Sequence, residues 1–303
     1  MSEKKKVISV MIPTYNEEEN ARPIYEAVRD EIRKDCPDYD DEILFIDNKS
    51  QDRTRRIITD ICAQDPKVKA IFNSKNFGQF NSPYYAMIHT TGDCTITICA
   101  DFQDPVEMIP KFVAEWEKGY KIVIGKKTTS QENPVMYFLR DCYYKTIKKM
   151  SNVEMIEQFT GFGLYDKSFI QTLRDLHDPT PFLRGIVAEL GPERKEIEYT
   201  QPRRRAGKTH NNWYSLFDAA MLSFTSYTKI GMRMAEFFGF FCAAVSFILG
   251  LVFLVAKLIH WNTFAAGYAP MIIAVFCVGG VELTFLGFLG EYILAMNAGL
   301  MDR

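Results

Sequence analysis

Asp101, Gln103 and Asp104 crowd the end of an apolar run, residues 94–100 (CTITICA), just before Pro105. Carboxylate and amide oxygens two residues apart suit a hard divalent cation such as Mg²⁺ or Mn²⁺, held by few protein ligands and completed by substrate phosphates. A pyrophosphate-bearing substrate is the natural partner of that chemistry. Asp104, preceding a proline, reads equally well as a helix cap. Other chemistries lack their residues. There is no GxxxxGK[ST] phosphate loop, no GxGxxG dinucleotide motif and no GxSxG elbow. His89, His177, His210 and His260 show no metal-like spacing. A second polar cluster, QPRRRAGKTHNNW at residues 201–213, can grip a phosphate or an anionic head group through its arginine forks. It also reads as the positive flank of a membrane segment.

These groups need a scaffold. Residues 7–12 (VISVMI) form an unbroken apolar run ending at Pro13, the pattern of a strand covered on both faces. Residues 18–34 carry Ile24, Ala27, Val28 and Ile32 at helical spacing. A second strand, residues 42–46, ends in Asp47; Ser50 or Asp52 then caps a helix bearing Ile57, Ile58 and Ile61. Residues 68–72 predict a third strand, 83–89 belong to a helix, 94–100 form the fourth strand and 121–125 a fifth. Strands alternating with helices imply an α/β domain with a mainly parallel sheet and right-handed crossovers. Ligands of such sheets bind beyond the carboxyl ends of the strands. There the sequence delivers Pro13 to Glu17 from strand one, Asp47 and Asn48 from strand two, and Asp101, Gln103 and Asp104 from strand four.

The 303 residues divide into two materials. Of 36 Lys and Arg and 38 Asp and Glu, residues 234–303 hold two and four, which leaves 34 of each sign in the first 233 residues. Residues 237–256 are free of charge, the length that spans a bilayer core, and residues 264–281 offer a second span across a short loop. Residues 213–224 read as an amphipathic segment along the interface. The expected organisation is a catalytic domain over 1–210, a juxtamembrane segment over 211–233 and a transmembrane hairpin over 234–303. Arg203, Arg204, Arg205, Lys208, Lys229 and Arg233 precede the first span, so the positive-inside rule places the large domain in the cytoplasm on a multi-pass plasma-membrane protein. MSEKKK leads straight into a short strand-like run, which does not read as a signal peptide. Seven scattered cysteines without a CxxC pair predict reduced thiols and no zinc site. Glu282 and Glu291 lie within or beside the second span, and they mark it as a candidate for homo-oligomer contacts.

ISVMIPTYNEEENA (8–21), FIDNKSQDRT (45–54) and CADFQDPVEMIP (99–110) resemble motifs of the family 2 glycosyltransferases, which have the GT-A fold. GFGLYD (161–166), the arginine-rich loop, the two apolar spans and GEYI (290–293) bring the resemblance closer to polyprenyl-phosphate glycosyltransferases, relatives of dolichol-phosphate mannose synthase and bactoprenol glucosyltransferases. The resemblance implies inverting transfer of one sugar from a UDP- or GDP-sugar to undecaprenyl or dolichyl phosphate on the cytoplasmic leaflet. Its expected partners are the nucleotide sugar, the polyprenyl phosphate and membrane lipid, without nucleic acid. It implies nucleotide contacts from Pro13, Tyr15, Glu17 and Asp47, a metal on Asp101 and Gln103, and acceptor-phosphate contacts from Arg204, Lys127 and Arg140. Asp101, Gln103 and Arg204 form the expected catalytic set.

The departures are specific. Asn48 and Lys49 replace the second Asp and the Gly of the family's DDGS pattern, Cys99 replaces the first Asp of DAD, and Lys127 and Gln201 stand where arginine or another base is frequent. A phosphate monoester is anionic at neutral pH and needs no strong base to attack an anomeric carbon, which suits a rim without a well-placed histidine. A metal stabilising the leaving diphosphate, with cations aligning two phosphates, suffices. The rivals are a processive polysaccharide synthase, which lacks its QxxRW motif here, a tethered nucleotidyltransferase without its glycine-rich loop, and an inactive scaffold binding lipid phosphates.

Overall fold

The computed structural model describes residues 5–128, 156–178, 181–191 and 193–207, together with scattered positions from Met221 onward. The central strand β1 (Val7–Thr14) is covered on both sides, as its apolar run predicts: Ile8, Val10 and Ile12 enter one core and Met11 the other. Chain order then gives α1 (Ala21–Asp35), β2 (Asp40–Asp47), α2 (Thr54–Gln64), β3 (Val68–Phe72), α3 (Gly78–Ile88) and β4 (Cys94–Thr97). A 3₁₀ turn (Val106–Met108) leads into α4 (Ile109–Glu117), followed by β5 (Ile122–Lys127), β6 (Phe159–Asp166), α5 (Lys167–Asp175), α6 (Leu183–Leu190) and β7 (Lys195–Tyr199).

The described residues build a seven-stranded sheet in the order β3-β2-β1-β4-β6-β5-β7. All neighbours are parallel except β6, which runs antiparallel to both β4 and β5. The expectation of a mainly parallel α/β sheet therefore holds, with one reversed strand that the apolar pattern does not announce. In β6, Gly163 lies so close to β5 that a Cβ there would meet the Val123 carbonyl oxygen at 2.5 Å. Such close backbone approach requires glycine and dilutes the hydrophobic signal of a strand.

Helices cover both faces. On one, Ile24, Val28 and Ile32 of α1, Ile58 and Ile61 of α2, and Phe112, Val113 and Trp116 of α4 pack on the sheet. On the other, Tyr84, Ala86 and Met87 of α3, Phe169, Ile170 and Leu173 of α5, and Ile186 and Val187 of α6 do so. Each large apolar side chain buried this way contributes about 1.5–3 kcal/mol relative to exposure. Phe112 meets Phe162 of β6 edge-on, with ring centroids 4.9 Å apart, so α4 braces the reversed strand.

Two local expectations change. The helix expected at 83–89 begins five residues before Pro83, at Gly78, because Asn48 binds the Phe77 amide and the Gly78 carbonyl and fixes its first turn. Asp52 accepts from the Thr54 amide at the start of α2, whereas Ser50 turns away to accept from Asn16. Among the described residues no helix is long and apolar enough to cross a membrane. The spans expected at 237–256 and 264–281 and the amphipathic segment at 213–224 lie outside the described residues, apart from isolated positions. Arg140 also lies outside them.

Candidate active site

β1 and β2 run in register to a common end, Thr14 opposite Asp47, and the loops beyond them are laced together. Asn16 adopts a left-handed backbone with φ 54°, a conformation asparagine tolerates better than most residues. Its N–H donates to Ser50 Oγ at 2.8 Å, and its side-chain oxygen accepts from the Gln51 amide at 2.8 Å. The next amide, of Glu17, donates to Thr54 Oγ1 at 2.9 Å. Pro13 and Tyr15 flank this turn, both half-buried.

Asp47 is fully buried. Its carboxylate accepts from the Ser50 amide at 3.1 Å and from Arg55 Nε at 2.5 Å, while Arg55 also donates to the Asn73 carbonyl. Asp47 thus ties β2 to α2 and to the turn after β3. The adjacent Asn48 is a four-way hub. Its Nδ2 donates to Asn76 Oδ1 at 2.8 Å and to the Gly78 carbonyl at 3.1 Å. Its Oδ1 accepts from the Phe77 amide at 2.9 Å and from Asn73 Nδ2 at 3.2 Å. An aspartate, which lacks a donor when ionised, cannot make this set. The departure from the family pattern at position 48 therefore has a structural reason: an asparagine-rich loop over 73–78 that only an amide can hold.

At the end of β4 the chain leaves the sheet after Ile98 donates to the Met11 carbonyl. Asp104 turns inward, buried, and accepts from the Cys99 amide at 3.0 Å and from the Tyr199 hydroxyl of β7 at 3.3 Å. It caps no helix; it closes the loop 99–104 back on itself. Burial pushes its carboxyl above the ordinary value, against the lowering by the Cys99 hydrogen bonds. Cys99 keeps an exposed face, yet desolvation of its sulfur, with the charges of Asp104 and Asp101, raises its thiol well above the ordinary value, against the lowering by Lys127.

Asp101 faces the other way. Its Oδ1 accepts from the Gln103 amide at 3.1 Å, so the two predicted metal residues meet through the Gln103 main chain. Across it lies the loop 203–207. The Arg205 amide donates to the Asp101 carbonyl at 3.2 Å, and the Arg205 guanidinium sits 5.0 Å over the Phe102 ring. Arg204 Nη1 stands 3.5 Å from Asp101 Oδ2, while its Nη2 donates to Glu17 Oε1 and its Nε to the Ala206 carbonyl at 2.8 Å. Glu17 Oε2 accepts from Asn20 Nδ2 at 2.7 Å, and the same amide reaches the Ala206 carbonyl at 3.2 Å. Burial raises the Glu17 carboxyl above its ordinary value although Asn20 and Arg204 pull it down; Asp101 adds to the rise. Lys127, at the end of β5, donates to Gln201 Oε1 at 2.9 Å on the same flank.

Glu17, Asp101 and Arg204, predicted separately, therefore converge, with one guanidinium between two carboxylates. Asn20 and the inward role of Asp104 are contributions that residue types alone did not reveal. The spacing of Asn20 three residues after Glu17 at a helix start was the available signal for the former. The donor set suits a divalent cation held by few protein groups: Asp101 offers one carboxylate, Gln103 an amide oxygen, and phosphate oxygens of a substrate complete a hard shell. Among the described residues no cluster of three or more His, Cys, Asp or Glu competes for that role.

The mainly parallel sheet, covered on both faces and with acidic and basic groups meeting beyond the ends of its strands, is a GT-A-like α/β fold. Residues 9–174 match the model of Glycosyl transferase family 2, and the chain belongs to that family: it is a glycosyltransferase. It is 31% identical to the bactoprenol glucosyl transferase of Shigella phage SfX over 94% of this chain and 93% of that protein. It is 30% identical to a prophage bactoprenol glucosyl transferase homolog of Escherichia coli strain K12, again over 94% and 93%. The putative glycosyltransferase CsbB of Bacillus subtilis strain 168 matches at 31% over 96% of this chain and 87% of that one. Glucosyl-3-phosphoglycerate synthase from Mycobacterium tuberculosis superposes with a TM-score of 0.47 at 16% identity, over 73% of this chain and 78% of that one, too distant to inform the site.

Proposed function

We propose that the protein transfers one sugar, with inversion, from a UDP- or GDP-sugar to a polyprenyl phosphate such as undecaprenyl phosphate at the cytoplasmic face of a membrane. The observation that carries this reading is the meeting of Arg204 with Asp101 beyond the strand ends, which supports a guanidinium serving one phosphate beside a carboxylate able to hold the metal of another. The near full-length likeness to bactoprenol glucosyl transferases supports the lipid acceptor.

On this reading Pro13 and Tyr15 line the nucleotide side, Asp47 braces the β2 end from beneath the surface, and Asp101 with Gln103 hold Mg²⁺ or Mn²⁺. The metal, when bound, supplies positive charge for the departing nucleoside diphosphate. Arg204 and Lys127, together with Arg140, supply the positive charge for the acceptor phosphate. That phosphate carries its own negative charge and attacks the anomeric carbon directly, so the chain's task is to align it and exclude water. The apolar segments at 237–256 and 264–281 hold the domain at the head-group plane and offer a surface for a homo-oligomer.

The test is transfer by the purified full chain in detergent, with undecaprenyl phosphate, Mn²⁺ or Mg²⁺ and a panel of UDP- and GDP-sugars. A solvent-extractable sugar lipid made by the wild type and lost in Asp101→Ala is the expected result. Metal-dependent nucleotide binding without any sugar lipid refutes the acceptor, and absence of nucleotide binding refutes the enzyme reading in favour of a lipid-phosphate scaffold.

A further inference from the structure

We propose that Glu17 is a positioning residue for Arg204: it holds the guanidinium beside Asp101 and latches the loop 203–207 across the crevice before any substrate arrives. This inference rests on the proposed transfer reaction for its kinetic consequence but not for the latch itself.

Both carboxylate oxygens of Glu17 point into protein. One takes Arg204 Nη2 and the other takes Asn20 Nδ2. The residue's direction is set by its own backbone: its N–H is fixed on Thr54 Oγ1, and its carbonyl accepts the Asn20 and Ala21 amides at the start of α1. A side chain anchored at a helix start thus grips a loop 187 positions away in sequence. Asn20 doubles the grip by donating to both Glu17 and the Ala206 carbonyl. On the far side the Arg205 amide is tied to the Asp101 carbonyl. Gly207, with φ 80°, turns the chain where a Cβ would come within 3.3 Å of the Arg204 guanidinium.

The arrangement has a direct consequence for substrate order. Arg204 makes a hydrogen-bonded ion pair with Glu17 and a longer one, 3.5 Å, with Asp101. With Asp101 engaged in holding a divalent cation and the donor diphosphate, Arg204 would give up its longer contact to that carboxylate and keep its bond to Glu17. The stronger bond to Glu17 keeps the arginine at the rim, where its freed N–H groups face incoming phosphate oxygens. Glu17 therefore governs engagement of the acceptor phosphate rather than affinity for the nucleotide, a different role from the nucleotide contact its motif position implies.

The experiment uses the full chain in detergent and the Glu17→Gln variant. Hydrogen exchange read by mass spectrometry on the ligand-free protein is expected to speed up in residues 201–207 by about tenfold or more. Binding of UDP or GDP with Mn²⁺, by calorimetry, is expected to stay within about twofold, while kcat/KM for undecaprenyl phosphate falls by about tenfold and the donor KM holds. Arg204→Ala, changed on the loop side of the pair, must loosen the same segment, and the double variant must add nothing further. Unchanged exchange in both variants overturns the latch. A nucleotide affinity lowered about tenfold in Glu17→Gln, with unchanged exchange, makes Glu17 a nucleotide ligand instead. If no nucleotide sugar supports transfer, the exchange measurement still decides the latch, so the two readings fail separately.

Discussion

Glu42 and Glu17 are both buried carboxylates, one near the amino end of β2 and the other just past the carboxyl end of β1, and the protein treats them differently. Glu42 is fully enclosed by donors: Ser9 Oγ at 2.5 Å, the Thr91 amide at 2.8 Å, Thr91 Oγ1 at 2.9 Å and Lys69 Nζ at 2.6 Å. Burial alone would raise its carboxyl, but these bonds outweigh burial and hold it below 4.5. Around Glu17 the balance tips the other way. Its carboxyl lies above the ordinary value, one of its partners sits on a distant loop, and Asp101 stands close enough to oppose its charge. Ordered strands and a turn satisfy the carboxylate at the foot of the sheet. At the rim the carboxylate stays under-compensated, its cation supplied by a loop 187 positions away in sequence. Folds keep such unfinished electrostatics where ligands bind and complete the network elsewhere.

The largest way to break this contrast is at the rim. Asp101→Ala is expected to lower sugar transfer by about a thousandfold, the size seen when a group that stabilises developing charge is removed. Its melting temperature should stay close to that of the wild type, because among the described residues the Asp101 carboxylate holds the Gln103 amide and Arg204 and nothing in the core. At the foot the signature reverses. Glu42→Ala is expected to cost about 3 kcal/mol of stability by stranding buried donors, with activity per folded molecule retained. Denaturant unfolding paired with an initial-rate assay separates the two outcomes. A catalytic collapse in Glu42→Ala without loss of stability would erase the distinction between the ends.

Acidity sharpens the same comparison. A carboxyl lowered on folding stabilises the fold above its unfolded value near 4.5, and the contribution fades as pH falls through the folded value. Glu42→Gln removes that titration, so its stability should fall less steeply than that of the wild type below about pH 4.5. Equal acid slopes in urea titrations at several pH values would show that Glu42 is not a principal acid-sensitive group.

A smaller effect is expected at position 48, between the two ends in character. Asn48→Asp places a carboxylate oxygen against the Gly78 carbonyl and Asn76 Oδ1 where the amide now donates. A loss of about 1–3 kcal/mol should follow, with faster hydrogen exchange in residues 73–78. Neutral behaviour of that variant would mean that the loop is held by Arg55 and Ser82 through Asn73 instead.

Much of this was readable from residue order, and the limits have physical causes. β1 and β2 announce themselves because strands buried on both faces carry continuous apolar runs, whereas β3, VKAIF, is a partly exposed edge strand marked only by its short stretch of β-forming residues. Asp101 is legible because a carboxylate ending such a run has few structural uses. β6 hides behind Gly161 and Gly163, and β7 reads KEIEY, a short alternation of charged and apolar residues on a sheet edge that only its pairing with β5 makes a strand. The same is true of side-chain direction. Whether Asp104 caps a helix or turns inward depends on Tyr199, 95 positions away, and what Glu17 holds depends on Arg204, 187 positions away. Local spacing carries no information about such partners, whereas the convergence of strand ends on one crevice follows from the alternation of elements alone.

Lys69 provides the finest test of why the foot is complete. Its ammonium lies 2.6 Å from Glu42, yet the side chain is 55% exposed, so water screens the pair. Lys69→Ala should cost less than about 1 kcal/mol, well below Glu42→Ala, since Ser9 and Thr91 keep both carboxylate oxygens bonded. Adding 0.5 M salt should narrow the gap between the wild type and the alanine variant, because the exposed pair that distinguishes them is open to screening. A cost in Lys69→Ala matching that of Glu42→Ala would mean that charge pairing, and not the hydrogen bonds from strand and turn, holds the foot. The two ends would then differ only in which cation each carboxylate keeps.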